Sequence, residues 1–260
     1  MRIPLHTLGS AFLIIIPLAA ASGAAPSTAG AAHVDGGMVS FSPQERNLMV
    51  ACVMSELGQW DALGDDNVRD KAAAISYVIL RRALRGDSHG PRSIAETLLA
   101  YGQFTGVSLK EPHSGGFRGK PEVHAALASL DPAYRKEIID YGQSHHDAYL
   151  RDVFRLMPSD TARSNVAQQF QRDLQDAEAG VDGALSGNLK DVTDGAMFFG
   201  GLPDLYSTRD HEPSHLVAAV GGLGPYPNVK ALLADPQIRS KAYRVELGNK
   251  NRVDAILFFR

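Results

Sequence analysis

The stretch Leu48-Met49-Val50-Ala51-Cys52-Val53-Met54-Ser55-Glu56-Leu57-Gly58 decides the reading of this chain. Its seven consecutive apolar residues come shortly after Ser42-Pro43-Gln44-Glu45, a capping box with proline at the first helical position. A helix that is apolar on all sides belongs in the centre of a core. Gly58 supplies a stop, so Glu56 is predicted at the C-terminal end of a buried helix. Apolar surroundings and the negative end of the helix dipole both disfavour a carboxylate there. A carboxyl group kept protonated near neutral pH can serve as a general acid. A solvated helix-end glutamate, or one paired with an arginine such as Arg81, is the plainer alternative.

Outward from this helix the pattern stays mostly helical. Asn67-Val68-Arg69-Asp70 opens a second helix by the same capping logic, with Ala72, Ile75, Val78, Ile79 and Leu80 at helical spacing and Gly86 at its end. Pro91 to Ala100 reads as a third, short helix. Residues 106–120 read as loop, 121–130 and 132–144 as two helices, and Thr161 to Leu185 as a long helix whose end Gly180 and Gly183 weaken. Asp191-Val192-Thr193-Asp194-Gly195 is turn chemistry, and Ala196-Met197-Phe198-Phe199 is a short strand halted by Gly200-Gly201. Residues 242–247 and 253–259 flank Gly248-Asn249-Lys250-Asn251 and read as a hairpin. The expected fold class is α+β, a single, mostly helical domain with a small antiparallel sheet.

Composition bounds the function. Of 260 residues, 44% are hydrophobic and 21% charged, as in ordinary globular proteins, and the net charge of -3 offers no footprint for nucleic acid. One cysteine, Cys52, excludes an intramolecular disulfide and a cysteine-rich metal cluster. Arg2, the apolar run Ala11 to Ala21 and the small residues Ala19-x-Ala21 fit a cleavable export signal over 1–21. Residues 22–40, rich in Ala, Gly and Ser, read as a flexible leader, and 41–260 as the folded domain. The product is expected to be periplasmic or secreted, with no stable membrane span.

Several ordered segments resemble the cell-wall hydrolase family typified by the catalytic domain of spore cortex-lytic enzymes. They are Ser55-Glu56-Leu57-Gly58-Gln59, the Ala-rich helix Ala72 to Leu80 ending in Arg81-Arg82, and Tyr101-Gly102-Gln103-Phe104-Thr105. The block from Asp191 to Phe199 and the closing Gly248-Asn249 and Phe258-Phe259 complete the series. Residues 106–160 are a family-atypical insertion; Leu57, Arg81 and Val192 stand where that family usually has Ala, Asn and Pro. The resemblance implies a lysozyme-like fold and a peptidoglycan substrate, cleaved between N-acetylmuramic acid and N-acetylglucosamine. It implies Glu56 as the catalytic acid, with Tyr101, Gln103, Phe104, Asp191, Thr193, Gly195 and Phe198 as substrate-binding positions. No cofactor or metal is implied. A lytic transglycosylase would use Glu56 alone. A lysozyme-like hydrolase would add a second carboxylate, for which Asp191 and Asp194 are candidates, although both also suit a turn. A groove with Glu56 on its wall, near Gln103 and Thr193, is the arrangement this reading expects.

Two other classes remain open. His211-Glu212-Pro213-Ser214-His215 matches the H-E-x-x-H zinc peptidase pattern letter for letter. That pattern needs both histidines one turn apart on a helix, and Pro213 opposes this at about 3 kcal/mol. Pro213 more naturally starts a helix through Leu216 to Val220, leaving His211 outside it. The third class is a non-catalytic wall-binding protein of the same fold.

Overall fold

In the computed structural model the capping box forms as its residues dictate. Glu45 N–H donates to Ser42 Oγ at 3.1 Å, while the Glu45 carboxylate accepts from the Ser42 N–H at 2.9 Å. From that cap α1 runs over Pro43–Gln59, three residues past Glu56. The structure describes residues 29–59, 67–86, 90–99, 104, 135–136, 139–140, 160–201, 205, 209–239 and 255–260. Over these residues the chain is α+β: helices around one main core, with small antiparallel sheets at the side.

The segment read as a flexible leader is corrected over its second half. Residues Gly30–Val34 (β1) and Gly37–Phe41 (β2) form an antiparallel hairpin. Its two-residue loop is Asp35-Gly36, with φ of 50° and 76°. Both residues are left-handed, as a primed hairpin turn requires, and Asp-Gly is a favoured pair for that geometry. Ala32, Val34 and Val39 bury their side chains, so the hairpin is part of the core.

Helix α2 spans Val68–Arg85; its expected side-chain cap does not form, because Asn67 makes no capping bond. A short α3 covers Ile94–Leu99, inside the expected Pro91 to Ala100, and starts from a second capping box, Ser93 with Glu96. Glu45 links the two boxes, accepting also from the Ala95 N–H at 3.2 Å. Helix α4, Asp160–Ser186, packs along α2. Gly180 does not weaken it: a Cβ there would lie 2.4 Å from the Arg69 carbonyl oxygen and 2.7 Å from Ala72 Cβ. The glycine permits the close approach of the two helices. Of the expected insertion, Arg135, Lys136, Ile139 and Asp140 are helical, and Arg135 bonds Glu178 of α4 at 2.6 Å; the rest of 106–159 lies outside the described residues.

The second sheet has the order β3 (Phe198–Gly200), β5 (Ile256–Phe259) and β4 (Leu216–Val220), all antiparallel. All four residues of β5 are buried. Alternation sends Ile256 and Phe258 into the helical core, and Leu257 and Phe259 into a smaller cluster with Leu205, Leu216 and Leu232. Both edges of residues 257–259 are occupied, by β3 and β4; the other arm of the expected hairpin, 242–247, lies outside the described residues. One expectation falls here. Leu216 to Val220 is a strand, not a helix, because pairing with β5 satisfies its backbone and buries Leu216. After β4, Asn228 caps α5 (Val229–Ala234), and Pro236 opens α6 (Pro236–Arg239). Among the described residues no helix is long and apolar enough to cross a membrane.

Replacing Gly180 by alanine should raise intrinsic helix propensity by about 1 kcal/mol yet destabilise the protein. Overpacking costs about 1–3 kcal/mol, so urea denaturation of Gly180→Ala should show a lower midpoint. An unchanged or higher midpoint would contradict the close α2–α4 packing.

Candidate functional site

The apolar helix α1 carries Cys52 and Glu56 one turn apart, so both side chains lie on one face. Cys52 is fully buried and Glu56 is 3% exposed. Burial pushes the Cys52 thiol well above its ordinary range, the Glu56 charge adds to the rise, and Arg82 partly offsets it. Arg82, on α2, is pulled below the usual arginine value by burial, with Cys52 and Glu56 opposing the shift. The Arg82 guanidinium carbon lies 5.1 Å from the ring centre of Phe104 and 5.6 Å from that of Phe198. Phe104 also meets Phe199 of β3 at 6.3 Å between ring centres. Phe104 and Phe198, two of the expected site residues, thus flank an arginine that enters the sequence only as the end of a motif, and Glu56 is coupled to it through charge. Ser55, next to Glu56, buries its Oγ without a hydrogen-bond partner.

The neighbouring Arg81 does something else. Successive residues of a helix point about 100° apart, so Arg81 leaves α2 on a different side. It is not the expected partner of Glu56. Its Nε donates to Asp35 in the hairpin turn at 2.8 Å. One terminal nitrogen donates to the Ala196 carbonyl at 2.7 Å and to Thr193 Oγ1 at 3.1 Å, and the other to Asp191. Asp191 also accepts from the Thr193 N–H at 2.8 Å and from its hydroxyl at 2.7 Å. The turn closes with the Ala196 N–H on the Thr193 carbonyl at 3.1 Å, while Asp194 and Gly195 take φ of 49° and 76°. Arg260 pins Asp194 from outside, through its carboxylate at 2.9 Å and its carbonyl.

The expected site therefore divides. Phe104 and Phe198 stand against Arg82, which is electrostatically coupled to Glu56. Asp191, Thr193 and Gly195 build a separate Arg81-centred turn that leads into β3, and Thr193 is fully buried within it. Tyr101 and Gln103 lie outside the described residues. Glu56 is sealed from solvent in this conformation rather than set on an open wall. A cavity of about 410 Å³ lies elsewhere, lined by residues such as Asn67, Asp70, Lys190 and Val192, and Glu56 does not line it.

The zinc pattern lacks its helix. Arg209–His211 and Pro213–His215 are two separate 3-10 turns, with Glu212 extended between them at φ −74° and ψ 146°. His211 Nε2 lies 3.2 Å from the Phe199 carbonyl, and its ring packs edge-on to Phe259. Among the described residues no group of three or more His, Cys, Asp and Glu side chains could hold a metal ion. No protein-family model matches the chain, and neither does any curated protein or solved structure.

Arg81→Ala should destabilise the protein by about 3–5 kcal/mol, the usual cost of removing one partner from a buried ion-pair network. Chemical denaturation measures this. A loss below about 1 kcal/mol, the scale of a surface pair, would contradict the structural role assigned to Arg81.

Proposed function

We propose that this protein is an exported peptidoglycan-cleaving glycosidase of lysozyme-like fold, acting as a lytic transglycosylase with Glu56 as acid and then base. The observation that carries the reading is the position of Glu56 in the last turn of an apolar helix, electrostatically coupled to Arg82, whose guanidinium lies against Phe104 and Phe198; the seal over Glu56, in place of the expected groove wall, counts against it. Burial works against a carboxylate and a nearby arginine charge works for it, and a carboxyl group able to exist in both forms is what an acid that returns as base requires. Glu56 would protonate the glycosidic oxygen as the bond to N-acetylmuramic acid breaks through an oxocarbenium-like state. The muramic C6 hydroxyl would then attack the anomeric carbon and return its proton to Glu56, closing a 1,6-anhydro ring.

The carboxylates favour this route over hydrolysis with a second acidic group. Asp191 is committed to Arg81 and Thr193, and Asp194 to Arg260. Neither is placed as a nucleophile. In this account Asp191, Thr193 and Gly195 act on substrate indirectly, by fixing the turn that presents Phe198. The seal over Glu56 also has a consequence: the carboxyl group must become accessible to a glycan during turnover. That same seal favours a second reading, a non-catalytic wall-binding protein in which Glu56 is a core carboxylate balanced by Arg82.

Glu56→Gln separates the two. The enzyme reading predicts a folded variant that solubilises purified peptidoglycan at least about 100-fold more slowly than the parent, the usual scale of a lost general acid. Parent and variant equally unable to release soluble fragments, with the variant clearly less stable, would support the structural reading instead.

A further inference from the structure

We propose that Arg82, set between Phe104 and Phe198, is a substrate-binding residue that takes a carboxylate carried by the muramic acid unit of the glycan. The inference rests on the glycosidase reading and deepens it, by naming the substrate group this side chain selects. The four arginines of α2 divide by what they hold. Arg69 pairs with Asp70 at 3.3 Å, and Arg85 with Asp35 at 3.4 Å. Arg81 is spent on Asp35 and Asp191. Among the described residues the Arg82 side chain makes no hydrogen bond and no ion pair. Its contacts there are with two rings, Phe104 at 5.1 Å and Phe198 at 5.6 Å from the guanidinium carbon. Unlike the fully buried Arg81, it is also partly exposed.

The chemistry gives this arrangement a use. Ring faces attract the cation but supply no oxygen acceptor for its five N–H donors. Phe104 is buried against Phe199, and Phe198 opens β3 directly after the turn that Arg81 holds. Both rings are therefore anchored, and a guanidinium held between them loses little freedom on binding a ligand. Burial also weakens its hydration, as its lowered pKa reflects, so an anion at its edge is attracted more strongly than in open water. A planar guanidinium matches a carboxylate through two parallel N–H···O bonds. In peptidoglycan the two alternating sugars differ by the lactyl ether of muramic acid. That group ends in a carboxylate where no peptide is attached, and in an amide leading to the peptide carboxylates where one is. N-acetylglucosamine has neither. An arginine of this kind distinguishes the two sugars by charge.

The test is NMR titration of the parent, Arg82→Gln and Arg82→Lys with three soluble ligands, alongside the thermal midpoint of each protein. N-acetylglucosamine lacks a carboxylate, N-acetylmuramic acid carries it on the lactyl group, and N-acetylmuramoyl dipeptide carries it on the peptide. The parent should bind one of the two acidic ligands about 10-fold more tightly than N-acetylglucosamine, the scale of one charge-assisted pair. Which of the two is preferred identifies the source of the carboxylate. Arg82→Gln should lose the preference. Arg82→Lys, which keeps the charge without the paired donors and is the variant more readily folded, should retain a reduced one. Equal binding or no binding of the three ligands by the parent, or an undiminished preference in either variant, would overturn the proposal. A Glu56→Gln variant that solubilises peptidoglycan as fast as the parent would instead overturn the glycosidase reading, and would leave the carboxylate preference untouched.

Discussion

A guanidinium with no exposure to solvent, that of Arg81, is the constraint on which the observed arrangement turns. Burying such a group is tolerable only when its donors are matched by acceptors in good geometry. Here Asp35, Asp191, Thr193 and the Ala196 carbonyl supply them. These acceptors come from two tight turns far apart in the chain, each built on an Asp-Gly pair with both residues at positive φ. Arg81 therefore ties the N-terminal hairpin and the approach to β3 onto α2 at one point. Through β3 it also fixes one edge of β5, whose Ile256 and Phe258 complete the core against the helices.

That anchoring bears on what surrounds Arg82. With Arg81 committed to the turns, Arg82 is directed to another side of α2, where it meets Phe104 and Phe198 and is coupled to Glu56. The turn held by Arg81 presents Phe198 to this second arginine. A structural ion-pair network and a candidate catalytic cluster are thus built from adjacent residues of one helix. Of the two carboxylates named as candidates for a second catalytic group, Asp191 is engaged by Arg81 and Thr193, and Asp194 by Arg260. For the proposed glycosidase, this division favours a route through Glu56 alone over one that adds Asp191 or Asp194. It also explains why Asp191 and Thr193, part of a sugar-binding motif by resemblance, make their hydrogen bonds within the protein.

Much of the helical framework was legible in the sequence, because it is written in local signals. The Ser42–Glu45 box, the apolar run after it and the periodicity of α2 give the two central helices nearly to the residue. The place of Glu56 near the end of a buried helix followed from that run; its seal from solvent, where a groove wall was expected, did not. Other features depended on partners distant in sequence. Leu216 to Val220 could continue a helix started at Pro213, and only pairing with β5 makes it a strand. Which of two adjacent arginines would be spent on the turns depended on where Asp35 and Asp191 lay. Gly180 reads locally as a helix breaker and acts globally as a contact surface. The hairpin is a different case. Its Asp35-Gly36 signal was present, but the Ala- and Gly-rich composition around it suggested a leader.

The measurement that bears most directly on the central claim is mass spectrometry of the fragments released by the unmodified protein from purified peptidoglycan. A lytic transglycosylase relying on Glu56 alone predicts muropeptides ending in 1,6-anhydro-N-acetylmuramic acid. Fragments carrying reducing ends would contradict the single-carboxylate route, and intact glycan strands with no fragments released would contradict glycan cleavage itself.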